Sequence, residues 1–463
     1  MKDLKTDLGI IGAGSAGLSV AAGAAQLGLQ VVLFERGEMG GDCLNYGCVP
    51  SKALIAVAKV AHKVRGAARF GVQTDAPRID WPAVKAHMER AIAAIAPHDS
   101  QARFEGLGVQ VIREHARFLD ERTVASASVR VRARRFVIAT GSCARIPDIP
   151  GLGETPFLTN ESIFHLDTLP RKLLILGAGP IGLELGQAFR RLGSDVTIVE
   201  AARTLGSADR EAADLLAMRL RAEGVEILEG CKATKVSAGP TLEIESADGA
   251  RRTLEGSHLL VAVGRTLALD DLDLHNAGVD PRRLSATLRT SNPRVWMLGD
   301  AAGRELFTHA AGWHASVFVR NVLFKARTPA HAQRIPSVVY CEPELAQIGL
   351  TEAQAPDAKA VRADFAANDR AVCEGESIGF AKLLIAKSGR LLGATILGPS
   401  AGELIAPLAL AISSKLTVRT LTSPVLAYPT RSEIWKRAAG AYYTPALFSA
   451  RTRALVSVLQ RIP

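Results

Sequence analysis

The chain has 463 residues, of which 48% are hydrophobic and 5% aromatic, and it contains no uninterrupted apolar run of membrane-spanning length. These values exclude a membrane-spanning protein and predict a globular chain of three or more domains. Six cysteines are too few for a disulfide scaffold, and the formal net charge of +10 allows nucleic acid, a membrane surface or small anions as partners.

The N-terminal residues 1–7 pass directly into a predicted strand and leave no room for a signal peptide. We therefore expect a cytoplasmic protein. In that compartment a disulfide is usually catalytic rather than structural.

An internal repeat begins in that first strand. Residues 8–35 and residues 173–200 share one pattern: an apolar strand, a Gly-x-Gly-x-x-Gly turn, an apolar-rich helix and a second strand ending in an acid. Such glycines let the backbone approach a pyrophosphate at a helix N-terminus, and the acid accepts hydrogen bonds from ribose hydroxyls. The repeat predicts two bound dinucleotides and no nucleic-acid partner. The matched residues are Gly12, Gly14, Gly17 and Glu35 in the first copy and Gly177, Gly179, Gly182 and Glu200 in the second.

Cys43 and Cys48 follow the first copy closely, in the run Gly-Gly-Asp-Cys-Leu-Asn-Tyr-Gly-Cys-Val-Pro-Ser-Lys. On a straight α-helix their Cα atoms would be roughly 8–9 Å apart, whereas a disulfide needs less than about 7 Å. The segment must therefore bend to oxidise, and Gly47 is able to supply the bend. Such a pair suits a redox dithiol. The alternatives are two unrelated buried thiols or half of a metal site, but no second cysteine pair stands at metal-ligand spacing, so no metal site is predicted.

The stretch between the two repeats reads as one helix followed by strands. The helix is predicted at residues 81–96, and the strands at residues 109–118, 123–133 and 134–142. A solvated strand face accounts for the densest basic cluster, which consists of Arg130, Arg132, Arg134 and Arg135.

Further along the chain, two more strands end on a glycine or an acid, at residues 259–265 and 290–300. Proline and glycine mark boundaries at residues 147–151 and 329–336. Beyond them, residues 402–414 read as an apolar helix that precedes the run Tyr-Pro-Thr-Arg-Ser-Glu, which begins at Tyr428.

These motifs together resemble the pyridine nucleotide–disulfide oxidoreductases with a Cys-x4-Cys centre, which include dihydrolipoamide dehydrogenase, glutathione reductase and mercuric reductase. The likeness runs from residue 7 to residue 437. It implies an α/β fold with two Rossmann-like dinucleotide-binding domains, for FAD and NAD(P), plus a C-terminal α+β dimerisation domain. The implied order is FAD-binding domain at 1–150, NAD(P)-binding domain at 151–268, the rest of the FAD-binding domain at 269–334, and dimerisation domain at 335–463. It also implies a homodimer whose active site the partner completes.

The resemblance assigns FAD contacts to matched positions of the first domain. The glycines of the first turn would cradle the pyrophosphate, Glu35 would hold the adenosine ribose, and Asp300 would hold the flavin side chain. The full set of FAD positions is Gly12, Gly14, Gly17, Glu35, Lys52, Ala116, Thr140, Gly141 and Asp300.

The resemblance also assigns the catalytic roles. Cys48 would face the flavin as the charge-transfer thiolate, and Cys43 would be the interchange thiol that meets the substrate. Lys52 and Glu184 match an ion pair beside the flavin's reactive nitrogen, where a lysine raises the electron affinity of the ring.

The predicted NAD(P) contacts come from the second repeat. A carboxylate at Glu200 hydrogen-bonds a free 2′-hydroxyl and repels a 2′-phosphate, which favours NADH over NADPH. Arg203 lies close by and works against that preference. The NAD(P) positions are Gly177, Gly179, Gly182, Glu200 and Gly264.

The most important departure from the family pattern is Tyr428. Dihydrolipoamide dehydrogenases and glutathione reductases carry histidine there, in His-Pro-Thr-x-x-Glu, whereas this chain keeps Glu433 but replaces the base. A phenol with a pKa near 10 is a poor base at neutral pH. Tyrosine at this position, like Asp42 before the first cysteine, resembles mercuric reductases. Those enzymes use an additional C-terminal cysteine pair, and no cysteine follows Cys373 here.

We therefore predict an FAD-dependent, NADH-linked dithiol/disulfide oxidoreductase that resembles dihydrolipoamide dehydrogenase and acts on a small-molecule or protein disulfide or dithiol. A mercuric-reductase-like reductase of metal ions or quinones is the close alternative. A redox-sensing flavoprotein subunit with slow turnover is an alternative of another class.

Two features carry no motif. The tail at residues 448–463 places arginines among leucines and valines, and we interpret it as a surface helix of the dimerisation domain, in preference to a helix that docks on a membrane or partner. No membrane contact is expected. The remaining cysteines are interpreted as structural: Cys143, Cys231, Cys341 and Cys373.

Overall fold

A computed structural model describes residues 1–330 and 335–462. The chain forms two compact units. The first contains residues 1–203 and 224–332, and the second contains residues 204–223 and 333–463.

The first unit is a layered α/β structure with sixteen strands among its described residues. They are β1 (Lys2–Ile11), β2 (Val31–Phe34), β3 (Val109–Ile112), β4 (Arg117–Asp120), β5 (Thr123–Ala125), β6 (Val129–Ile138), β7 (Ser142–Ala144), β8 (Lys172–Leu176), β9 (Asp195–Glu200), β10 (Glu226–Glu229), β11 (Cys231–Ser237), β12 (Thr241–Ser246), β13 (Arg251–Glu255), β14 (His258–Val261), β15 (Arg265–Leu267) and β16 (Val295–Met297).

The helices are divided between the two units: α7 and α9 to α15 lie in the second unit, and the others lie in the first. They are α1 (Ser15–Gln26), α2 (Gly41–Asn45), α3 (Cys48–Arg65), α4 (Trp81–Ile95), α5 (Gln101–Gly106), α6 (Pro180–Leu192), α7 (Arg210–Ala222), α8 (Thr308–Val322), α9 (Asp369–Cys373), α10 (Ala401–Leu404), α11 (Ala406–Ser413), α12 (Val418–Thr422), α13 (Glu433–Ala441), α14 (Thr444–Leu447) and α15 (Ala450–Leu459).

Two sheets organise the first unit, one mixed but mainly parallel and the other wholly parallel. One has the order β3-β2-β1-β6-β5-β4 with β16 beside β6, and all its pairings are parallel except β4–β5 and β5–β6. The other is the parallel sheet β10-β9-β8-β14. In each, the glycine-rich turn leaves the carboxyl end of the central strand, β1 or β8, which is where open α/β sheets bind ligands.

The core of the first sheet explains why these segments are strands and helices. Buried and exposed residues alternate less along β1 than along a half-exposed strand, because β1 is buried on both faces from Leu8 onward. Helices α1 and α8 pack together over one face, where Phe318 meets the indole of Trp296 edge-on with 5.4 Å between ring centroids. The burial on both faces fixes the turn after β1 firmly in place.

The second unit contains an antiparallel sheet flanked by helices. Its strands are β17 (Ser337–Val339), β18 (Glu344–Gly349), β19 (Lys359–Asp364), β20 (Phe380–Ile385) and β21 (Leu391–Gly398). They lie in the order β17-β18-β21-β20-β19. Helix α13 packs on β19 and β20 and buries Ile434 and Trp435. This α+β arrangement agrees with the fold class predicted for the C-terminal part.

Several predicted elements are shorter than expected. The strand predicted at residues 123–133 is a hairpin, because the Glu114 carboxylate accepts hydrogen bonds from the side chain of Ser126 and the backbone of Ser128 and so stabilises the turn. The strand predicted at residues 109–118 is likewise split into β3 and β4.

The helix predicted at residues 402–414 is also divided. Pro407 lies in the first turn of α11, and since it lacks a backbone N–H the chain starts a new helix there rather than continuing α10. The strand predicted at residues 290–300 is formed only at β16. The boundary predicted at residues 329–336 lies partly outside the described residues, and the four-part division of domains stays a prediction.

The basic cluster is a solvated strand face, as expected. On β6 the arginines at 130, 132 and 134 are exposed, the residues between them are buried, and Arg135 is half-buried. Arg130 lies 3.7 Å from Asp3, and Arg134 lies 3.3 Å from Asp7. Acids of the neighbouring β1 therefore compensate this cluster.

The C-terminal tail is helical at α15, and every residue from Ala450 to Leu459 is exposed except Thr452, which is half-buried. It is a surface helix, as the sequence predicts. Among the described residues no helix is both long and apolar enough to cross a bilayer.

Candidate active site

The turn between β1 and α1 brings backbone, not side chains, to the predicted pyrophosphate site. Gly12 has a φ of +104°, and a Cβ there would lie 2.3 Å from the carbonyl oxygen of Ala139. A Cβ at Gly17 would lie 1.9 Å from the oxygen of Gly12. At Gly14 a Cβ would meet only Gly41, at 3.9 Å. Two glycines are therefore required by close packing, and the third leaves open space at the N-terminus of α1.

Glu35 closes this cradle at the end of β2. Its carboxylate accepts hydrogen bonds from the backbone N–H groups of Ala13, at 2.6 Å, and Gly37, at 2.7 Å. Next to Gly12, the buried Oγ1 of Thr140 has no hydrogen-bond partner among the described residues, and a Cβ at Gly141 would meet nothing within 4 Å. An open cradle that contains an orphaned hydroxyl fits a polar ligand such as FAD.

Two other predicted FAD positions lie in the same unit. Ala116 is buried between β3 and β4. Asp300 follows β16, and its Oδ2 accepts a 2.5 Å hydrogen bond from the hydroxyl of Ser142. Burial raises the pKa of the Asp300 carboxyl. The guanidinium of Arg265, a residue to which the sequence assigned no role, donates to the Ser142 hydroxyl at 2.6 Å and lies 3.8 Å from Asp300.

The second glycine-rich turn repeats the first. Gly177 has a φ of +102°, a Cβ at Gly182 would lie 2.0 Å from the Gly177 oxygen, and Gly179 has open space around it. Gly264, with a φ of +120°, is also open.

The acid of this second copy has the same environment as Glu35. The Glu200 carboxylate accepts from the backbone N–H groups of Ala178, at 2.8 Å, and Ala202, at 2.9 Å. Both acids are therefore placed by backbone amides at the edge of their cradle. The two copies share geometry as well as sequence pattern.

The cysteine pair lies on two separate helices. Cys43 is in α2, and Cys48 begins α3, with the chain leaving helical geometry at Gly47, where φ is −125° and ψ is −110°. A Cβ at Gly47 would lie 3.0 Å from the oxygen of Asp42, so a side chain there would press on the preceding turn. The bend that the sequence predicts is therefore present, and both cysteines are thiols in this structure.

The environment of the pair makes the two thiols unequal. A hydrogen bond from Cys43 is the largest influence on Cys48 and lowers its pKa to about 6, and Thr308 and Lys52 act in the same direction. The sulfur of Cys48 lies 3.5 Å from the hydroxyl of Thr308 at the start of α8. The same hydrogen bond, together with burial, raises the pKa of Cys43. These opposite shifts favour the thiolate at Cys48 and the proton on Cys43, and the roles of the two thiols stay a prediction.

Lys52 lies one turn further along α3 and pairs with an acid from α6. Its Nζ lies 2.7 Å from Oε2 of Glu184, whose side chain is only 7% exposed. The ion pair that the sequence predicts therefore exists and fixes a cation on the Cys48 side of the helix.

Tyr428 and Glu433 lie in the second unit. The phenolic O–H of Tyr428 donates to Oδ2 of Asp369 at 2.8 Å, and this hydrogen bond is the main reason why the pKa of the phenol is raised. Glu433 accepts from the backbone N–H of Thr430 at 3.2 Å. The partner of Tyr428 is thus Asp369, which sequence reasoning missed because no motif marks it.

Two glycine cradles, each with an acid at its edge, together with a thiol pair beside a lysine define a flavin- and pyridine-nucleotide-dependent disulfide oxidoreductase. Comparison with known families agrees. Residues 6–315 match the pyridine nucleotide-disulphide oxidoreductase model, and residues 335–439 match the dimerisation domain of the same family. The chain belongs to the pyridine nucleotide-disulphide oxidoreductase family.

Relatives with known names fall in two branches. The chain is 35% identical over 457 residues to a dihydrolipoyl dehydrogenase of Thermus scotoductus, covering 95% of this chain and 98% of the relative. It is 31% identical over 446 residues to a mercuric reductase of Lysinibacillus sphaericus, covering 94% and 82%.

Solved structures agree with the fold. The HOCl-induced flavoprotein disulfide reductase RclA of Escherichia coli superposes with a TM-score of 0.83 at 26% identity, covering 94% of this chain and 99% of RclA. LpdA of Mycobacterium tuberculosis gives 0.84 at 26% identity, covering 95% and 99%.

These comparisons confirm the predicted family, the α/β fold with a dimerisation domain, and an FAD-dependent disulfide oxidoreductase that uses a pyridine nucleotide. The dimerisation domain supports a homodimer. The roles of individual site residues stay predictions.

Proposed function

We propose that Cys43 and Cys48 are the reversible dithiol/disulfide of this enzyme and that NADH is its preferred pyridine nucleotide. The observation that carries the proposal is the Cys48 thiol, whose pKa is lowered to about 6 chiefly by the hydrogen bond from Cys43. A thiolate is the reactive form toward disulfides and soft electrophiles. Bound FAD supplies the two-electron relay between nicotinamide and disulfide.

The chain's own residues then exchange with a disulfide acceptor in two steps. Cys43 passes its proton to the hydrogen-bonded Cys48 thiolate and attacks one acceptor sulfur, the acceptor S–S bond breaks, and the first thiolate leaves and takes that proton from Cys48. Cys48 attacks the Cys43 sulfur, the mixed disulfide breaks, and the second thiolate leaves as the Cys43–Cys48 disulfide re-forms. The leaving thiolates take up the Cys43 proton and one from solvent. The same steps in reverse oxidise a dithiol such as dihydrolipoamide.

The preference for NADH rests on Glu200. Its carboxylate is fixed by two backbone N–H groups at the end of β9, where it would accept from a free ribose hydroxyl and repel a 2′-phosphate. Comparable rates with NADPH would overturn this part of the proposal.

The proposed assembly is a homodimer in which the partner's dimerisation domain completes each active site. The family resemblance and the matched dimerisation domain support this arrangement. Tyr428 and Glu433 would then serve the site of the partner subunit.

A second candidate function is the reduction of metal ions or quinones. Tyr428 favours it, because its proton is held by Asp369 and these acceptors present no proton to remove. The mercuric reductase relatives support it, as does RclA of Escherichia coli, which has been solved as a Cu(II) complex.

A panel of acceptors with NADH separates these functions. Oxidised lipoamide, oxidised glutathione, Hg²⁺, Cu²⁺ and benzoquinone would be compared in wild type, Cys43→Ser and Cys143→Ser, the last being an exposed cysteine outside the pair. Disulfide turnover that is lost only in Cys43→Ser supports the main proposal. Fast metal or quinone turnover with slow disulfide turnover favours the second, and slow turnover with every acceptor indicates a redox-sensing flavoprotein.

A further inference from the structure

Asp42 stands directly before Cys43, and both oxygens of its carboxylate are held. Oδ1 accepts a 2.9 Å hydrogen bond from Nδ2 of the buried Asn160, and Oδ2 lies 3.2 Å from Nη2 of Arg265. The Arg265 side chain is 13% exposed and that of Asp42 is 38% exposed, so this ion pair is partly shielded from water. These two contacts hold the Asp42 carboxylate in a single orientation.

Asp42 also contacts the chain next to the second cysteine. Its backbone oxygen accepts from the N–H of Tyr46 at 2.8 Å. A Cβ at Gly47 would lie 3.2 Å from the Asp42 carboxylate and 3.0 Å from its carbonyl oxygen. Asp42, which directly precedes Cys43, thus also packs against the far end of the segment that separates Cys43 from Cys48.

Arg265 connects this carboxylate to the one predicted to hold FAD. Its guanidinium donates to the Ser142 hydroxyl at 2.6 Å and to the Ser142 carbonyl oxygen at 2.8 Å. The Ser142 hydroxyl in turn donates to Asp300 at 2.5 Å. One cation therefore compensates two carboxylates, Asp42 on the thiol side and Asp300 on the flavin side.

We propose that Asp42 and Arg265 form a positioning pair, in which Asp42 fixes the segment between the two cysteines and Arg265 cancels the negative charge that Asp42 places beside Cys48. This inference rests on the proposed role of Cys43 and Cys48 as the redox pair. A carboxylate near a thiol disfavours the thiolate, and a cation near that carboxylate reverses the effect.

The charged neighbours of Cys48 determine the direction in which each substitution should shift its pKa. Its titratable and charged neighbours are Cys43 and Asp42 from α2 and Lys52 from α3, and of these only Asp42 raises the pKa of Cys48. Removal of Arg265 leaves the charge of Asp42 uncompensated, so the thiolate should form at higher pH. Removal of the Asp42 charge should have the opposite effect.

A double-mutant cycle tests the pair, using Asp42→Asn, Arg265→Gln and the combined variant. The amide introduced by Asp42→Asn retains an oxygen for Asn160, so this substitution removes the charge with little change of shape. The rate of alkylation of Cys48 by iodoacetamide would be followed against pH in the reduced holoenzyme by mass spectrometry. We expect the thiolate midpoint to rise by roughly half a pH unit or more in Arg265→Gln, to fall in Asp42→Asn, and to return toward wild type in the combined variant.

Controls separate this effect from loss of structure. Arg252→Gln removes an exposed ion pair with Glu226 at 3.1 Å and should leave the midpoint unchanged. Arg265→Lys keeps the charge and should stay nearer to wild type than Arg265→Gln. FAD content and circular dichroism report folding independently.

Unshifted midpoints, or shifts of the same sign in both single variants, with FAD content intact, would overturn the positioning pair. Failure of the proposed function looks different: wild-type protein itself would then lack a Cys48 thiolate that forms near pH 6. If Arg265→Gln loses FAD, the comparison of Asp42→Asn with Arg265→Lys decides, since only the former should lower the midpoint.

Discussion

The phenolic O–H of Tyr428 donates a 2.8 Å hydrogen bond to the Asp369 carboxylate. This contact raises the pKa of the phenol from its ordinary value of 10.0, because ionisation would cost the hydrogen bond and place a second negative charge beside Asp369. Tyr428 therefore keeps its proton at neutral pH. At the position where related enzymes carry a histidine, this protein presents a hydrogen-bond donor that is already engaged.

The first prediction concerns this missing base. General-base catalysis is worth roughly 10²–10⁴-fold, so wild-type protein should oxidise dihydrolipoamide slowly. Tyr428→His should raise the rate of NAD⁺ reduction by dihydrolipoamide at least about tenfold. It should change turnover of Hg²⁺ or quinone acceptors much less, because these present no proton. The measurement is steady-state kinetics at neutral to mildly alkaline pH with each substrate.

Tyr428→Phe is the matched control, since it removes only the hydroxyl and should leave dihydrolipoamide oxidation slow. Brisk dihydrolipoamide oxidation by wild type, unchanged in Tyr428→Phe, would contradict this account and return the protein to the ordinary dihydrolipoamide dehydrogenase branch.

The second prediction is a pH dependence of the thiolate. The pKa of Cys48 is lowered to about 6, first by the hydrogen bond from Cys43, so the reduced enzyme should hold the thiolate above that pH and lose it below. Long-wavelength absorbance from the thiolate beside oxidised flavin should therefore fall as pH falls through about 6. The test is a spectrophotometric titration of the two-electron-reduced protein.

Lys52 should contribute to that midpoint. The double variant Lys52→Gln/Glu184→Gln removes the cation without leaving the buried Glu184 carboxylate beside a neutral partner. Its midpoint should shift to higher pH, whereas Lys85→Gln, which removes a lysine paired with Asp167 at 3.1 Å, should not move it. A downward shift in the double variant would contradict the role of Lys52.

The third prediction concerns the separate roles of Cys43 and Cys48. Cys48→Ser should abolish the long-wavelength band, because it removes the thiolate. Cys43→Ser should keep a thiolate–flavin interaction while losing turnover with disulfides. Full disulfide activity in Cys43→Ser would show that the two roles are assigned wrongly.

Much of this site was predictable from the sequence because its parts are local. The two glycine cradles each form within one strand–turn–helix unit, and the acids at Glu35 and Glu200 follow at the end of the next strand. The hydrophobic period of the strands and helices and the spacing of the glycines are therefore enough to locate the two cradles and their acids. The pair formed by Lys52 and Glu184 was found only through the family resemblance, since the two residues are far apart in the chain.

The residues that were missed act at long range and have no motif. Arg265 meets Asp42 and Ser142 only because β15 pairs with β7, and Asp369 meets Tyr428 from the start of helix α9. Single polar residues of this kind look the same in sequence as any solvated residue. Only the tertiary fold selects which carboxylate each one faces.

The fourth prediction addresses nucleotide preference. Glu200→Gln removes the charge that would repel a 2′-phosphate, and the ratio of kcat/KM for NADH over NADPH should fall roughly tenfold, the scale of one charge contact of about 1.4 kcal/mol. Glu226→Gln, an exposed acid on the neighbouring strand β10, is the control and should leave the ratio unchanged. An unchanged ratio in Glu200→Gln would remove the ground for the NADH preference.

The fifth prediction concerns the first cradle. A methyl group at position 17 would lie 1.9 Å from the carbonyl oxygen of Gly12, and both atoms are held by the buried β1–α1 turn. Gly17→Ala must therefore widen the turn, and overpacking of this kind costs about 1–3 kcal/mol. We expect protein purified with little FAD and a melting temperature lower by several degrees. Gly106→Ala is the matched control, because a Cβ there meets nothing within 4 Å and the residue lies in exposed helix α5. Full FAD content in Gly17→Ala, measured by absorbance after denaturation, would show that this turn does not hold the cofactor, whereas equal loss in both variants would indicate general instability.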